Sequence, residues 1–140
     1  MKFIEKLLSK NLYNKENKTA VSIGALGEEA AALALRKKGY KILERNYRSK
    51  MGEIDIIAKD GEYTCFVEVR LRKNNSFGSP ADSINEGKQQ RIIRTAQLYA
   101  MEKGIFDTPM RFDVVLINAV AKENSLKNVH LEIIKDAFRL

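Results

Sequence analysis

The residues best placed to do chemistry in this 140-residue chain are acids set in apolar strands: Asp55 within Ile54-Asp55-Ile56-Ile57 and Glu68 within Phe66-Val67-Glu68-Val69. Side chains alternate along a strand, so Glu53 and Asp55 share a face, as do Glu68 and Arg70. With Asp60-Gly61 as a two-residue hairpin turn, Lys59 pairs with Glu62, Asp55 with Phe66 and Glu53 with Glu68. All four polar groups then lie on one face, and Asp55 and Glu68 become diagonal neighbours with backbone positions about 7–8 Å apart. Carboxylates this close repel, so they must be solvated, partly protonated or neutralised by a cation. Arg70 supplies one positive charge. A hard divalent cation such as Mg²⁺ or Mn²⁺ would supply more, because one or two carboxylates with water and a substrate phosphate are its usual ligands. The alternative is a half-buried hairpin with its polar face in water.

The elements that must position these acids follow from periodicity and punctuation. Ser22 caps a helix predicted to run to about Lys38, and Gly39 ends it. Glu28 on that helix has Ala25, Gly24, Ala31 and Ala32 three and four positions away, and Leu35 further on. It is an acid on a small apolar face, with no basic residue there to pair with it; its bland role would be that of a first-turn acid favoured by the helix dipole. Glu29 points toward Arg36. Strands are expected over Lys41 to Arg48, Glu53 to Lys59, Glu62 to Leu71, Arg111 to Val120 and Val129 to Ile134. A loop covers Arg72 to Pro80, and a Ser83/Glu86 capping box opens a helix to about Lys103. The order α, strands, α, strands predicts an α/β fold with a mixed sheet flanked by helices.

Composition bounds the partners. Lys and Arg number 25 against 18 Asp and Glu, a net charge of +7, which favours polyanions such as nucleic acid. On the second helix Ile92, Ala96, Tyr99 and Ala100 form an apolar stripe flanked by Lys88, Arg91 and Arg94. With Arg72 and Lys73 these are candidate contacts for phosphate backbones, which carry little base specificity. A single cysteine, Cys65, excludes an internal disulfide and fits a cytoplasmic setting. Cys65 reads as core, the lone His130 as structural and Asp113 as a buried or paired acid. Residues 1–20 read as a short amphipathic helix, carried by Phe3, Ile4, Leu7 and Leu8, and a polar linker. Residues 21–140 form one domain. No secretory signal or bilayer-spanning run is evident, and neither a zinc spacing nor a P-loop occurs.

The stretches GALGEEAAALALRKKG (Gly24 to Gly39), Tyr40 to Leu43, Arg45-Asn46, GEIDIIAKDG, FVEVRLR, FGSP (Phe77 to Pro80), Lys88 with Arg91-Ile92, and RFDVV (Arg111 to Val115) together resemble the YraN-type family of bacterial proteins, over roughly residues 22 to 118. That family is similar to restriction-endonuclease-like PD-(D/E)XK nucleases and to archaeal Holliday-junction resolvases. The resemblance implies a restriction-endonuclease-like fold and a Mg²⁺-dependent endonuclease acting on DNA, in particular branched or structured DNA. It places the helix acid at Glu28, the strand aspartate at Asp55, the second acid at Glu68 and the basic position at Arg70. Asp55, Glu68 and Glu28 would hold the metal, with Glu53 as a nearby or extra ligand. Resolvases of this kind imply a homodimer. One departure matters: the pattern has Lys where this chain has Arg70, and arginine stays protonated and cannot act as a general base. Two other functions stand beside the nuclease: a nucleic-acid-binding module with weakened or lost catalysis, and a scaffold subunit of a DNA-processing complex.

Overall fold

The structure is a computed structural model that describes residues 22–73, 84–123 and 125–140. The expected N-terminal helix and linker, FGSP and Ser83 lie outside these residues. The elements run α1 (Ile23–Lys37), β1 (Lys41–Ser49), β2 (Gly52–Asp60), β3 (Tyr63–Lys73), α2 (Glu86–Lys103), β4 (Met110–Lys122) and β5 (Ser125–Phe138). The strands form one sheet in the order β1-β2-β3-β4-β5, antiparallel throughout except for the parallel β3–β4 pair. This is the mixed α/β sheet with flanking helices expected of a restriction-endonuclease-like fold.

Each helix covers its own part of the core. On α1 the small residues Ala30, Ala31 and Ala34 are buried with Leu26 and Leu35, and pack with Ile56, Ala58, Cys65, Val67, Val115 and Ile117. Small side chains bring the helix backbone close to the sheet: a Cβ on Gly27 would stand 3.6 Å from a methyl of Leu71. On α2, Ile92, Ile93, Ala96 and Tyr99 pack with Ile54, Ile57, Phe66 and Phe112. Aromatic rings knit this second core, with Tyr99 edge-on to both Tyr47 and Phe66, and Phe112 stacked on Phe138.

Several boundaries differ from the sequence expectation for identifiable reasons. The hairpin loop is Gly61-Glu62, flanked by Asp60↔Tyr63, not Asp60-Gly61. Gly61 takes φ +59° at the first loop position, the requirement of a type II′ turn, and this shifts the register by two residues. Asp55 is therefore not opposite Phe66, nor Glu53 opposite Glu68. The cap of α2 is Asn85, whose side chain accepts from the Lys88 N–H at 2.9 Å; Glu86 is thus the first helical residue and cannot close a capping box. β3 continues through Arg72 to Lys73, because the parallel ladder with β4 extends to Lys73↔Ala119. β5 is longer than Val129 to Ile134, since β4 pairs with it from Ser125 to Phe138.

Asp113 is fully buried and fully matched. Its carboxylate accepts from the Arg111 guanidinium at 2.8 and 2.9 Å, the Tyr40 hydroxyl at 3.0 Å and the Asp136 N–H at 2.9 Å. Arg111 also reaches Asp60 at 2.7 Å, and Lys135 joins Asp60 at 3.1 Å. The network ties the entry to β1, the end of β2, the start of β4 and the end of β5. Removing one partner leaves buried charge uncompensated. Asp113→Ala is therefore expected to destabilise the fold by about 3–5 kcal/mol, and Tyr40→Phe by about 1 kcal/mol. Urea unfolding followed by circular dichroism measures both.

Candidate active site

Pairing on both edges of β2 breaks at one row, while β3–β4 pairing runs through it. The β1–β2 register passes from Arg45↔Ile56 to Tyr47↔Ile54, so Asn46 lies beside Asp55 without a ladder pair between them. The β2–β3 register ends at Ile56↔Val67, and its next step would bring Asp55 to Glu68. Asn46 sits in the left-handed region at φ +54°, a conformation that asparagine tolerates better than most residues. Beyond this row β2 and β3 run on without pairing. The Val69 N–H, deprived of a strand partner, donates instead to Asp55 Oδ2 at 2.8 Å.

This irregularity breaks the alternation on which the sequence reading relied. Ile54 and Ile57 both pack against the α2 side, while Ile56 packs against α1. Asp55 turns toward the backbone of β3 at the point where the pattern resets. Glu53 does not join the acids on the face of Glu68. It is exposed and faces Arg48 across the β1–β2 hairpin at 3.6 Å.

Three acids do come together electrically. Asp55 is pushed up to about 7, first by burial and then by the charge of Glu68, with a smaller push from Glu28; the Val69 N–H works in the opposite direction. Glu68 is buried, and its Oε1 lies 2.6 Å from Lys88 Nζ at the start of α2. With the Asn46 amide nitrogen turned toward α1, it donates to both Glu28 oxygens at 3.2 Å. Glu28 lies beyond the first helical turn, so the dipole at the helix start is not its partner. Glu29 pairs with Arg45 at 2.9 Å instead of with Arg36.

The remaining candidates separate by position. Arg91 and Arg94 are exposed on α2, Arg72 is half-buried on β3, and Lys73 ends that strand. Arg70 follows Glu68 by two residues on β3. Lys88 is committed to Glu68 and is not a detached surface charge. Cys65 is buried and its thiol is pushed up to about 12, chiefly by burial and then by Asp113, so it is no nucleophile. His130 is exposed on β5, opposite Asn118. Sequence reasoning did not find Asn46, although an asparagine between Arg45 and Tyr47 is a residue suited to a left-handed break.

Among the described residues no three His, Cys, Asp or Glu side chains already stand as a ready ligand cage. The donor set nevertheless suits Mg²⁺ or Mn²⁺: two hard carboxylates at a break in the sheet, one of them disfavouring its own charge, match a cation commonly held by one or two carboxylates plus water and phosphate. No helix among the described residues is long and apolar enough to cross a membrane.

Comparison with known proteins agrees with the outline of the chain. Residues 27–117 match the family described as Uncharacterised protein family UPF0102. A UPF0102 protein of Clostridium tetani is 42% identical over 130 residues, covering 93% of this chain and 99% of its own length. UPF0102 proteins of Clostridium kluyveri (43% identical, 84% of this chain and 94% of theirs) and Chlorobium chlorochromatii (46%, 89% and 96%) are similar to the same extent. The matched span holds Glu28 and the rest of α1 from Gly27 on, the Asn46–Asp55–Glu68 row and Lys88, and the chain belongs to the UPF0102 family.

Proposed function

We propose that this protein is a Mg²⁺-dependent phosphodiester hydrolase acting on nucleic acid, DNA in the first instance. The observation that carries the reading is the Asp55–Glu68 pair, held partly desolvated where β2 and β3 part. Glu68 has Lys88 for a counter-ion, but Asp55 is buried against it with one backbone N–H, where a fold seeking only stability would give it a cation, as it gives Arg111 to Asp113. Asp55 and Glu68 would hold the cation, with Glu28 within electrostatic reach. When bound, the cation would neutralise phosphate charge and make a water more acidic. The chain's own groups do the positioning. Val69 fixes one Asp55 oxygen, and Asn46 holds the Glu28 carboxylate. Arg70 steadies charge on the phosphate but takes no proton. Arg91 and Arg94 contact backbone phosphates, consistent with the net charge of +7.

Arg70 in place of lysine also favours a second reading, a nucleic-acid-binding module whose catalysis is weakened. Cleavage of labelled duplex, single-stranded and four-way-junction DNA with Mg²⁺ or Mn²⁺ separates the two. On the first reading the native chain cleaves, and Asp55→Asn with Glu68→Gln abolishes cleavage while leaving the fold intact. On the second the native chain binds DNA without cleaving it, and Arg70→Lys raises cleavage at least tenfold. A native chain that neither binds nor cleaves any of these DNAs, with metal present, contradicts both.

The raised Asp55 also sets a pH dependence. Its folded value lies above the unfolded carboxylate value of about 3.9, so the folded state binds the extra proton. The stabilisation is complete below that value and is lost as pH rises through about 7. In EDTA, the Tm of the native chain is expected to fall between pH 5 and 8 relative to Asp55→Asn, and Asp55→Asn to melt higher at pH 8 by about 5 °C, the scale of 1 kcal/mol in a domain of this size. Scanning calorimetry across that range, with and without Mg²⁺, measures it; Mg²⁺ is expected to remove the native chain's deficit.

A further inference from the structure

Lys88 differs from the other basic residues of α2. Its N–H donates to the Asn85 cap, and Gln89 donates to the Ile84 carbonyl at 3.1 Å, so its stem starts from a fixed point. Its ammonium lies 2.6 Å from Glu68, whose side chain is 5% exposed, while that of Lys88 is 34% exposed. A buried acid is thus neutralised by a cation that keeps a path to solvent. Contact between residues 20 positions apart, on a strand and on a helix, needs the fold to make it.

We propose that Lys88 is the lysine of this site, delivered from α2 and not from β3: a tethered counter-ion that holds Glu68 until a divalent cation arrives, and then passes to the substrate phosphate. The inference rests on the hydrolase reading above. An ammonium on Glu68 competes directly with a divalent cation for the same oxygen, because both are cations and the carboxylate is buried. A lysine can yield the place. Its ammonium is a point charge on a flexible four-carbon stem, whereas an arginine fork would grip the carboxylate through two bonds. Once released, the ammonium remains tethered to the first turn of α2, beside Glu68 and with a path to solvent. Without Lys88 the buried Glu68 would have no cation in contact and only the Asp55 carboxyl to share a hydrogen bond with, so the same contact protects the metal-free fold before loading.

The test compares the native full-length chain with Lys88→Met, which keeps the stem and removes the charge, and with Lys88→Arg. Mg²⁺ binding is read by calorimetry, and binding of a short DNA duplex is read by anisotropy with Ca²⁺ present. Lys88→Met is expected to bind Mg²⁺ about tenfold more tightly, the scale of one directly coupled contact, to melt lower than native without metal and recover with it, and to bind DNA several-fold more weakly. Lys88→Arg is expected to bind Mg²⁺ no more tightly than native. A lysine that only neutralised Glu68 would also tighten metal binding when lost, but its loss would leave DNA binding in Ca²⁺ unchanged; the joint result, tighter Mg²⁺ and weaker DNA, is what the transfer to phosphate requires. If the native chain binds Mg²⁺ and Lys88→Met binds it equally or less well, the inference fails while the hydrolase reading stands. If the native chain binds no Mg²⁺ with or without DNA, both fail. If Lys88→Met folds only in Mg²⁺, that rescue supports the inference; failure to fold even in Mg²⁺, with Lys88→Arg normal, makes the lysine structural and overturns it.

Discussion

The site depends on one displaced hydrogen bond, that of the Val69 N–H to the Asp55 carboxylate. A strand donor released at a break must find an acceptor, and here a charged side chain takes the place of backbone. The exchange holds β2 and β3 apart from their last pair, Ile56↔Val67. It also fixes Asp55 beside Glu68, although burial and like charge both oppose it. The left-handed Asn46 on β1 makes room for the same break and holds Glu28 above it. Close packing of α1 through Ala30, Ala31 and Ala34 then brings Glu28 to the strands.

The chain treats its acids in two contrasting ways. At the entry to β4, Asp113 is buried completely yet met by Arg111, Tyr40 and the Asp136 N–H, so every charge is answered. At the Asn46–Asp55–Glu68 row, Asp55 accepts from one backbone N–H, shares a hydrogen bond with Glu68 and is pressed by the charges of Glu68 and Glu28. The first arrangement ties β1, β2, β4 and β5 together and serves stability. The second opposes stability locally, and such conflicts are expected where a site binds something else. Both lie in the same sheet, so the matched cluster helps the fold tolerate the unmatched one.

Much of this was legible in the sequence. Apolar periodicity gave both helices and all five strands, and the choice of Glu28, Asp55 and Glu68 followed from acids placed where solubilising groups do not belong. What failed was fine geometry. Asp60-Gly61 looks like the centre of a turn, but the loop uses glycine at its first position, and that choice moves the register by two. Strict alternation grouped Glu53 with the acids; the break at Asp55 sends Glu53 to Arg48. Lys88 was legible as a basic residue on a helix flank, but not as the partner of Glu68. Nothing local marks a contact that only tertiary packing creates.

The central claim is that Asp55 and Glu68 form a charge-strained pair that a divalent cation relieves. Titration with Mg²⁺ near pH 6.5, by calorimetry in buffers of different ionisation enthalpy, tests it most directly, because a carboxyl raised to about 7 must give up its proton when it becomes a ligand. The expected result is binding with release of a substantial fraction of one proton, falling toward zero at pH 8.5 and absent in Asp55→Asn. Binding without proton release, or the same release from Asp55→Asn, would contradict the account.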